Sequence, residues 1–114
     1  MESKAKLRYY RRSPRKVRLV VDMIRGQKVE PALIALKLSP KHAAHDVEKL
    51  VRSALANLEQ ANPGVDVDKV FISKIAVDPG PSLKRGRPAS KWVRMHRILK
   101  RMCHITVELA VQES

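Results

Sequence analysis

Residues 79–102 constrain the fold most, because they form a long basic connection between two apolar segments. This stretch, PGPSLKRGRPASKWVRMHRILKRM, contains eight Lys or Arg and no Asp or Glu. Residues 70–77 and 104–111 on either side of it have the apolar content of strands, and the second segment alternates apolar and polar residues cleanly. A connection of this length with no strong helical pattern is uncommon inside a domain and is usually functional or disordered. Its charge predicts that it binds a polyanion.

Two strands joined by such a connection most simply form an antiparallel hairpin. Each arm would contain about 12 residues, and extended chain at ~3.3 Å per residue would carry the tip roughly 40 Å from the strands. That distance exceeds the diameter expected of the body. The sequence therefore predicts a hairpin that protrudes.

The residues before the hairpin predict a small helical body with one strand. Residues 4–11 alternate, with Ala5, Leu7 and Tyr9 on the predicted inner side and basic residues on the outer side. Ser13-Pro14 predicts the start of a first helix, whose apolar stripe is Val17, Val20, Val21 and Ile24 and whose stop is Gly26.

Two further helices follow, over residues 29–38 and from Ser39-Pro40 to about residue 61. The predicted fold class is α+β, with three helices packed on a small three-stranded antiparallel sheet in the order β-α-α-α-β-β. The 114 residues are expected to form a single domain. Its globular body would span about 4–78 and 103–112, and its extended basic hairpin about 79–102.

The net charge of +13 favours a nucleic-acid partner. Residues 1–28 carry ten Lys or Arg against two acids, residues 29–78 carry six against seven, and residues 79–114 carry eight against two. The basic ends are therefore predicted to meet the partner. A basic membrane-surface protein would need a dominant amphipathic helix with aromatic anchors, and the four aromatic residues do not cluster on a helix face.

Catalytic, metal and cofactor signals are weak. Cys103 and His104 are neighbours, so in a strand they point to opposite faces and cannot form a nucleophile–base pair. His42 and His45 share helical spacing but have too few partners for a zinc site. We expect no enzymatic activity, no cofactor and no metal. A single Cys and a polar N-terminus lead us to expect a cytoplasmic protein.

Two sets of basic residues are candidates for phosphate contacts: Arg15, Lys16 and Arg18 near the start of the first helix, and the eight Lys or Arg of residues 79–102. The cations near the start of the first helix oppose the helix dipole, a cost that an anionic partner would offset. Trp92, in the middle of the basic connection, is a candidate for stacking on an unpaired base. The main alternative, a helix-turn-helix DNA-binding protein, is disfavoured because the longest helix is charge-neutral.

The motif SPRKVRLVVDMIRG at residues 13–26 resembles the first helix of the bacterial large-subunit ribosomal protein family L-twenty-two. The resemblance continues through SALAN at 53–57, VDPGPSLKR at 77–85, Lys100-Arg101 and HITV at 104–107. It implies a body at the ribosome surface and a hairpin that runs inward through 23S-type rRNA to the wall of the polypeptide exit tunnel. The implied partners are that rRNA, neighbouring large-subunit proteins including L-four, and the nascent peptide, with the protein a monomer in the ribosome and no membrane involved.

The resemblance implies rRNA contacts by eight basic residues that match the family's first helix and hairpin arms: Arg15, Lys16, Arg18, Lys84, Arg85, Arg97, Lys100 and Arg101. The charge of the two basic segments extends the predicted rRNA-binding set to Arg11, Arg12, Arg87, Lys91 and Arg94. The implied tunnel-facing tip comprises Ser90, Lys91, Trp92, Val93 and Arg94. The sequence departs from the family's pattern at this tip, where residues 89–97 are one residue longer and lack the usual Gly. An architectural nucleic-acid-binding protein outside the ribosome is the alternative function.

Overall fold

The computed structural model describes residues 2–81, 83–88 and 95–112, with the backbone alone described in 83–88 and 95–100. Within these residues, three α-helices and five strands follow one another, with a short 3₁₀ turn at Val67–Lys69 before the second strand. The elements are β1 (Glu2–Tyr10), α1 (Pro14–Ile24), α2 (Val29–Leu38), α3 (His42–Ala61), β2 (Val70–Pro79), β3 (Leu83–Pro88), β4 (Met95–Lys100) and β5 (Cys103–Val111).

The predicted α+β fold class is confirmed. β5 lies in the middle of a three-stranded antiparallel sheet of order β1-β5-β2, and the helices pack on one face of it. Alternate residues of β5 point into this layer, and Cys103, Ile105, Val107 and Leu109 are fully buried. The other face of the sheet carries no helix among the described residues and stays accessible.

The first helix forms as its sequence pattern predicts. Pro14 occupies the first turn, where its missing N–H costs nothing, and Val17, Val20, Val21 and Ile24 are completely buried. Gly26 follows with φ +76°, a left-handed conformation that glycine adopts without steric cost. The stripe spacing of 3.6 residues therefore decides which side of α1 enters the core.

The predicted start of the third helix at Ser39-Pro40 is wrong. The N–H of Ser39 donates to the carbonyl of Leu36 at 3.3 Å, so Ser39 ends α2, and α3 begins only at His42. Pro40 disfavours helical geometry at the residue before it, which keeps Ser39 extended. The apolar stripe of α3 is buried and comprises Ala43, Val47, Leu50, Val51, Ala54 and Leu58.

The predicted inward position of Tyr9 is also wrong. The pairing of β1 with β5 shifts between Leu7 and Tyr10, a β-bulge in which Tyr9 adopts φ +56°. Tyr10 rather than Tyr9 then packs against the core, and its hydroxyl donates a hydrogen bond to the carboxylate of Asp46. Tyr9 is left 62% exposed.

The predicted hairpin continues strands β2 and β5. The β2–β5 ladder ends with Pro79 opposite Cys103, and the N–H of Gly80 then donates to the carbonyl of Met102 at 2.9 Å. β3 and β4 form a second antiparallel ladder from Leu83 opposite Lys100 to Pro88 opposite Met95. The long axis of the molecule is 67 Å, against 25 and 17 Å for the others.

Tyr10→Phe is expected to lower the free energy of unfolding at pH 7 by about 1–2 kcal/mol, because Asp46 loses a donated hydrogen bond. Burial and the hydrogen bond to Asp46 raise the pKa of Tyr10 from about 10 to about 12. The contribution of Tyr10 is therefore fully present below pH 10 and disappears as the pH rises towards 12. Denaturant unfolding from pH 7 to 12 should show the difference between wild type and variant shrinking above pH 10. Tyr9→Phe, at an exposed ring, is the control, and a difference that stays constant to pH 12 would contradict the assignment.

We propose that the chain is one domain whose body folds without its hairpin. Every buried side chain of the described core lies in α1–α3, β2 or β5. Replacing residues 83–99 by a short turn should therefore preserve cooperative thermal unfolding, followed by circular dichroism. Gradual, non-cooperative melting of the shortened chain would show that the hairpin belongs to the core.

Candidate nucleic-acid interface

Four chain segments meet where the hairpin leaves the body. Strand β1 ends at Tyr10, β2 ends at Pro79 and β5 begins at Cys103, and the β-sheet pairing places these three residues side by side. The start of α1 lies against the same place, because the guanidinium of Arg18 donates to the carbonyl of Val77 at 3.0 Å. We call this region the hairpin root. Three clefts lined by residues that the structure describes lie at or beside it.

The first, the arginine cleft, joins α1 to the hairpin and has a volume of about 410 Å³. Its described lining includes three arginines and no acidic residue: Ser13, Pro14, Arg15, Arg18, Pro79 and Arg101. The structure thus brings together cations that are more than 80 positions apart in the sequence. Three guanidinium groups around one concave surface suit phosphate oxygens, which arginine binds through paired hydrogen bonds.

The electrostatics of α1 also favour an anion at the arginine cleft. The first turn of the helix contains no Asp or Glu, and the side chain of Ser13 makes no capping hydrogen bond. Arg15 and Lys16 instead place positive charge beside the positive end of the helix dipole, at a cost of a few tenths of a kcal/mol each. A bound phosphate would reverse this cost and accept a hydrogen bond from the N–H of Arg15, because Pro14 has no N–H and those of Lys16 and Val17 donate to the carbonyl of Ser13.

The second cleft, of about 220 Å³, lies between α1 and the start of α3. Cationic and imidazole side chains surround an apolar floor, and the lining comprises Arg12, Lys16, Leu19, Val20, Lys41, His42 and Ala43. Arg12 and Lys16 were predicted from the sequence, but Lys41 and His42 were missed because α3 as a whole is charge-neutral. The absence of acids from the first turn of α3 was the available signal.

The third cleft, which we call the sheet cleft, lies on the helix-free face of the sheet and has a volume of about 280 Å³. Its lining comes from all three strands and comprises Lys6, Arg8, Tyr9, Asp78, His104 and Thr106. None of these was among the predicted site residues. The register explains the grouping, since Lys6 lies opposite Thr106 and Asp78 lies opposite His104.

Tyr9 and His104 hold each other in place in the sheet cleft. The backbone N–H of Tyr9 donates to Nδ1 of His104 at 3.0 Å, so the proton of a neutral imidazole lies on Nε2. The two rings meet edge to face, with centroids 4.9 Å apart. A left-handed conformation costs a residue other than glycine about 1–2 kcal/mol, which makes Tyr9 a strained residue.

Cys103 has none of the features of a catalytic nucleophile. Its side chain is completely buried, and burial raises the pKa of the thiol, which the charge of Arg18 lowers only in part. Across the described residues, no three His, Cys, Asp or Glu side chains are grouped to hold a metal ion. In the same residues, no helix is both long and apolar enough to cross a membrane.

The remaining predicted residues lie at the surface of the body or in the hairpin. Arg11 is exposed directly after β1 and lines none of the three clefts. Five are placed on strand backbone, in β3 or β4: Lys84, Arg85, Arg87, Arg97 and Lys100. The tip residues Ser90, Lys91, Trp92, Val93 and Arg94 lie outside the described residues.

Comparison with known proteins places residues 5–110 within the family model of ribosomal protein L22p/L17e. The chain is 57% identical to "Large ribosomal subunit protein uL22" of Syntrophotalea carbinolica over 109 residues, covering 96% of this chain and 97% of that protein. It is 50% identical over 110 residues to the protein of the same name from Geobacter sulfurreducens, covering 96% and 97%. It is 44% identical over 114 residues to that of Solibacter usitatus, covering both chains completely.

The thiol of Cys103 is expected to react slowly with an aromatic disulfide reagent at pH 8, because it is buried and its pKa is raised. Reaction should require the structure around Cys103 to open. If opening costs about 5 kcal/mol, labelling of the thiol should be roughly 10³–10⁴-fold slower than in the unfolded chain. The control is Ser53→Cys at an exposed position of α3, which should react at once. Rapid stoichiometric labelling of wild type would contradict the burial of Cys103.

Proposed function

Because the chain belongs to the ribosomal protein L22p/L17e family, we propose that it is a structural component of the large ribosomal subunit that binds 23S-type rRNA. The family membership confirms the resemblance found in the sequence. It also identifies the chain as a structural protein rather than an enzyme. Its place is the ribosome in the cytoplasm.

The arginine cleft is the observation that carries the rRNA-binding proposal. Arg15 and Arg18 come from the first helix and Arg101 from the hairpin, and the fold brings them to one concave surface. The three cations repel one another, so a bound anion is needed to stabilise the cluster. The phosphates of an RNA strand supply negative charge at every nucleotide. Contacts of this kind position a protein on RNA without reading its base sequence.

The hairpin extends the same charge away from the body. β3 and β4 contain five of the eight cations predicted to contact rRNA in this segment, on a ladder that continues β2 and β5. An extended two-stranded ribbon buries little of its own surface, so RNA packed along it would supply both the neutralising charge and the missing contacts. We propose that the hairpin lets RNA from separate regions pack together and thereby supports assembly of the subunit.

The position of the hairpin within the ribosome is also part of this proposal. Its tip, at residues 90–94, would line the nascent polypeptide exit tunnel, next to ribosomal protein L-four and within reach of the nascent peptide. The protein would be a monomer in the ribosome, since its basic surfaces would be covered by RNA rather than by a second copy. The neutral part of the body would remain at the surface of the subunit.

Binding to large-subunit rRNA is expected to weaken steeply with salt. With roughly 6–10 phosphates engaged, affinity should fall about 10³–10⁵-fold between 50 and 200 mM salt. Arg15→Ala and Arg101→Ala should each reduce the slope of log affinity against log salt by about 1, and the double variant by about 2. Filter binding or fluorescence anisotropy over a salt series measures these slopes.

Arg52→Ala is the matched control, because Arg52 lies on α3 and pairs with Glu48 at 2.9 Å. It should leave the slope unchanged. A flat salt response of the wild type would contradict phosphate neutralisation. Equal affinity for rRNA and for duplex DNA of the same length would instead favour an architectural nucleic-acid-binding protein outside the ribosome.

A further inference from the structure

We propose that Tyr9 is a stacking platform for one unpaired RNA base, with the base in the sheet cleft and its flanking phosphates on Lys6 and Arg8. This inference rests on the proposed rRNA-binding function and deepens it. Phosphate contacts position the RNA without regard to its bases, whereas stacking requires an unpaired nucleotide at a defined place. It assigns a role to an aromatic residue on the helix-free face of the sheet.

The first argument is that Tyr9 faces outward at an energetic cost. Continuing the alternation of β1 would have buried this ring beside Leu7, but the bulge turns it outward to 62% exposure. The backbone takes φ +56°, a conformation in which aromatic residues are strained. Strained conformations persist where the surrounding structure fixes them, and they cluster at functional sites.

The second argument is that the exposed ring is held rigidly. The backbone N–H of Tyr9 donates to Nδ1 of His104 at 3.0 Å, and the imidazole packs edge to face against the tyrosine ring. His104 is itself confined by Gly80, since a Cβ at that position would lie 3.1 Å from Nε2. An aromatic ring that is already fixed loses little conformational entropy when a base stacks on it.

The third argument is the chemistry of the sheet cleft around the ring. Lys6 and Arg8 are exposed on β1 beside Tyr9, and they supply cations where the backbone of a stacked nucleotide would pass. Asp78, on the opposite side, repels phosphate but can accept a hydrogen bond from the edge of a base, as can the hydroxyl of Thr106. Basic and aromatic side chains in this arrangement are typical of surfaces that bind single-stranded nucleic acid.

The test compares Tyr9→Asn with Tyr9→Phe in full-length protein bound to large-subunit rRNA transcribed in vitro. Asn tolerates the left-handed conformation better than most residues, so Tyr9→Asn removes the ring while easing the strain. We expect Tyr9→Asn to unfold at the wild-type temperature or higher and to bind rRNA roughly 5- to 150-fold more weakly. Its salt slope should equal that of the wild type, because the substitution removes no Lys or Arg and therefore no phosphate contact. Tyr9→Phe should bind as the wild type does.

Chemical probing of the rRNA bases gives the second readout. One unpaired nucleotide should be protected by wild type and by Tyr9→Phe, and exposed in the complex with Tyr9→Asn. Unchanged affinity and protection in Tyr9→Asn would overturn the stacking proposal while leaving rRNA binding intact. Loss of folded structure in Tyr9→Asn would also overturn it, by giving Tyr9 a structural role. If the wild type showed no preference for rRNA over duplex DNA, the proposed function itself would fail.

Discussion

The pairing of β5 with both neighbouring strands is the constraint on which the rest of the structure depends. Cys103, Ile105, Val107 and Leu109 are completely buried beneath the helices, and burial of each aliphatic side chain contributes about 1.5–3 kcal/mol. A slip of one residue would turn this whole set towards water, so the register is strongly fixed. Because the hairpin arms continue β2 and β5, the same register determines where the hairpin leaves the body.

The charge distribution follows from this arrangement. The apolar stripes of α1 and α3 hold the start of α1 against the end of β2, and this places Arg15 and Arg18 beside Arg101. Like charges brought together by folding repel one another, and water and salt screen that repulsion only partly. The repulsion therefore destabilises the free protein slightly. Binding of a polyanion relieves it, and this relief favours the complex. In the proposals above, the arginine cleft contacts the phosphates of the RNA strand, and Tyr9 stacks on a base in a different part of that strand.

Three of the residues that line the arginine cleft were among those predicted from the sequence, and the residues overlooked in the other clefts were overlooked for specific reasons. Arg15, Arg18 and Arg101 stood out because each lies in a run of cations without acids. Lys41 was missed because α3 is neutral when its charge is summed along the helix, whereas the cleft involves only its first turn. Tyr9 was assigned to the core because strict alternation places it there, and a bulge in β1 leaves no clear signature in a single sequence.

The sequence by itself determined the order of the elements, the faces that enter the core and the basic character of both chain ends. These depend on spacings of two and 3.6 residues and on local composition, which are properties of short segments. Only the tertiary structure decided that β5 lies between β1 and β2, that the two basic ends converge at the hairpin root, and that Tyr10 rather than Tyr9 is buried. Each of these depends on contacts between residues far apart in the chain, whose energies depend on how whole layers pack together.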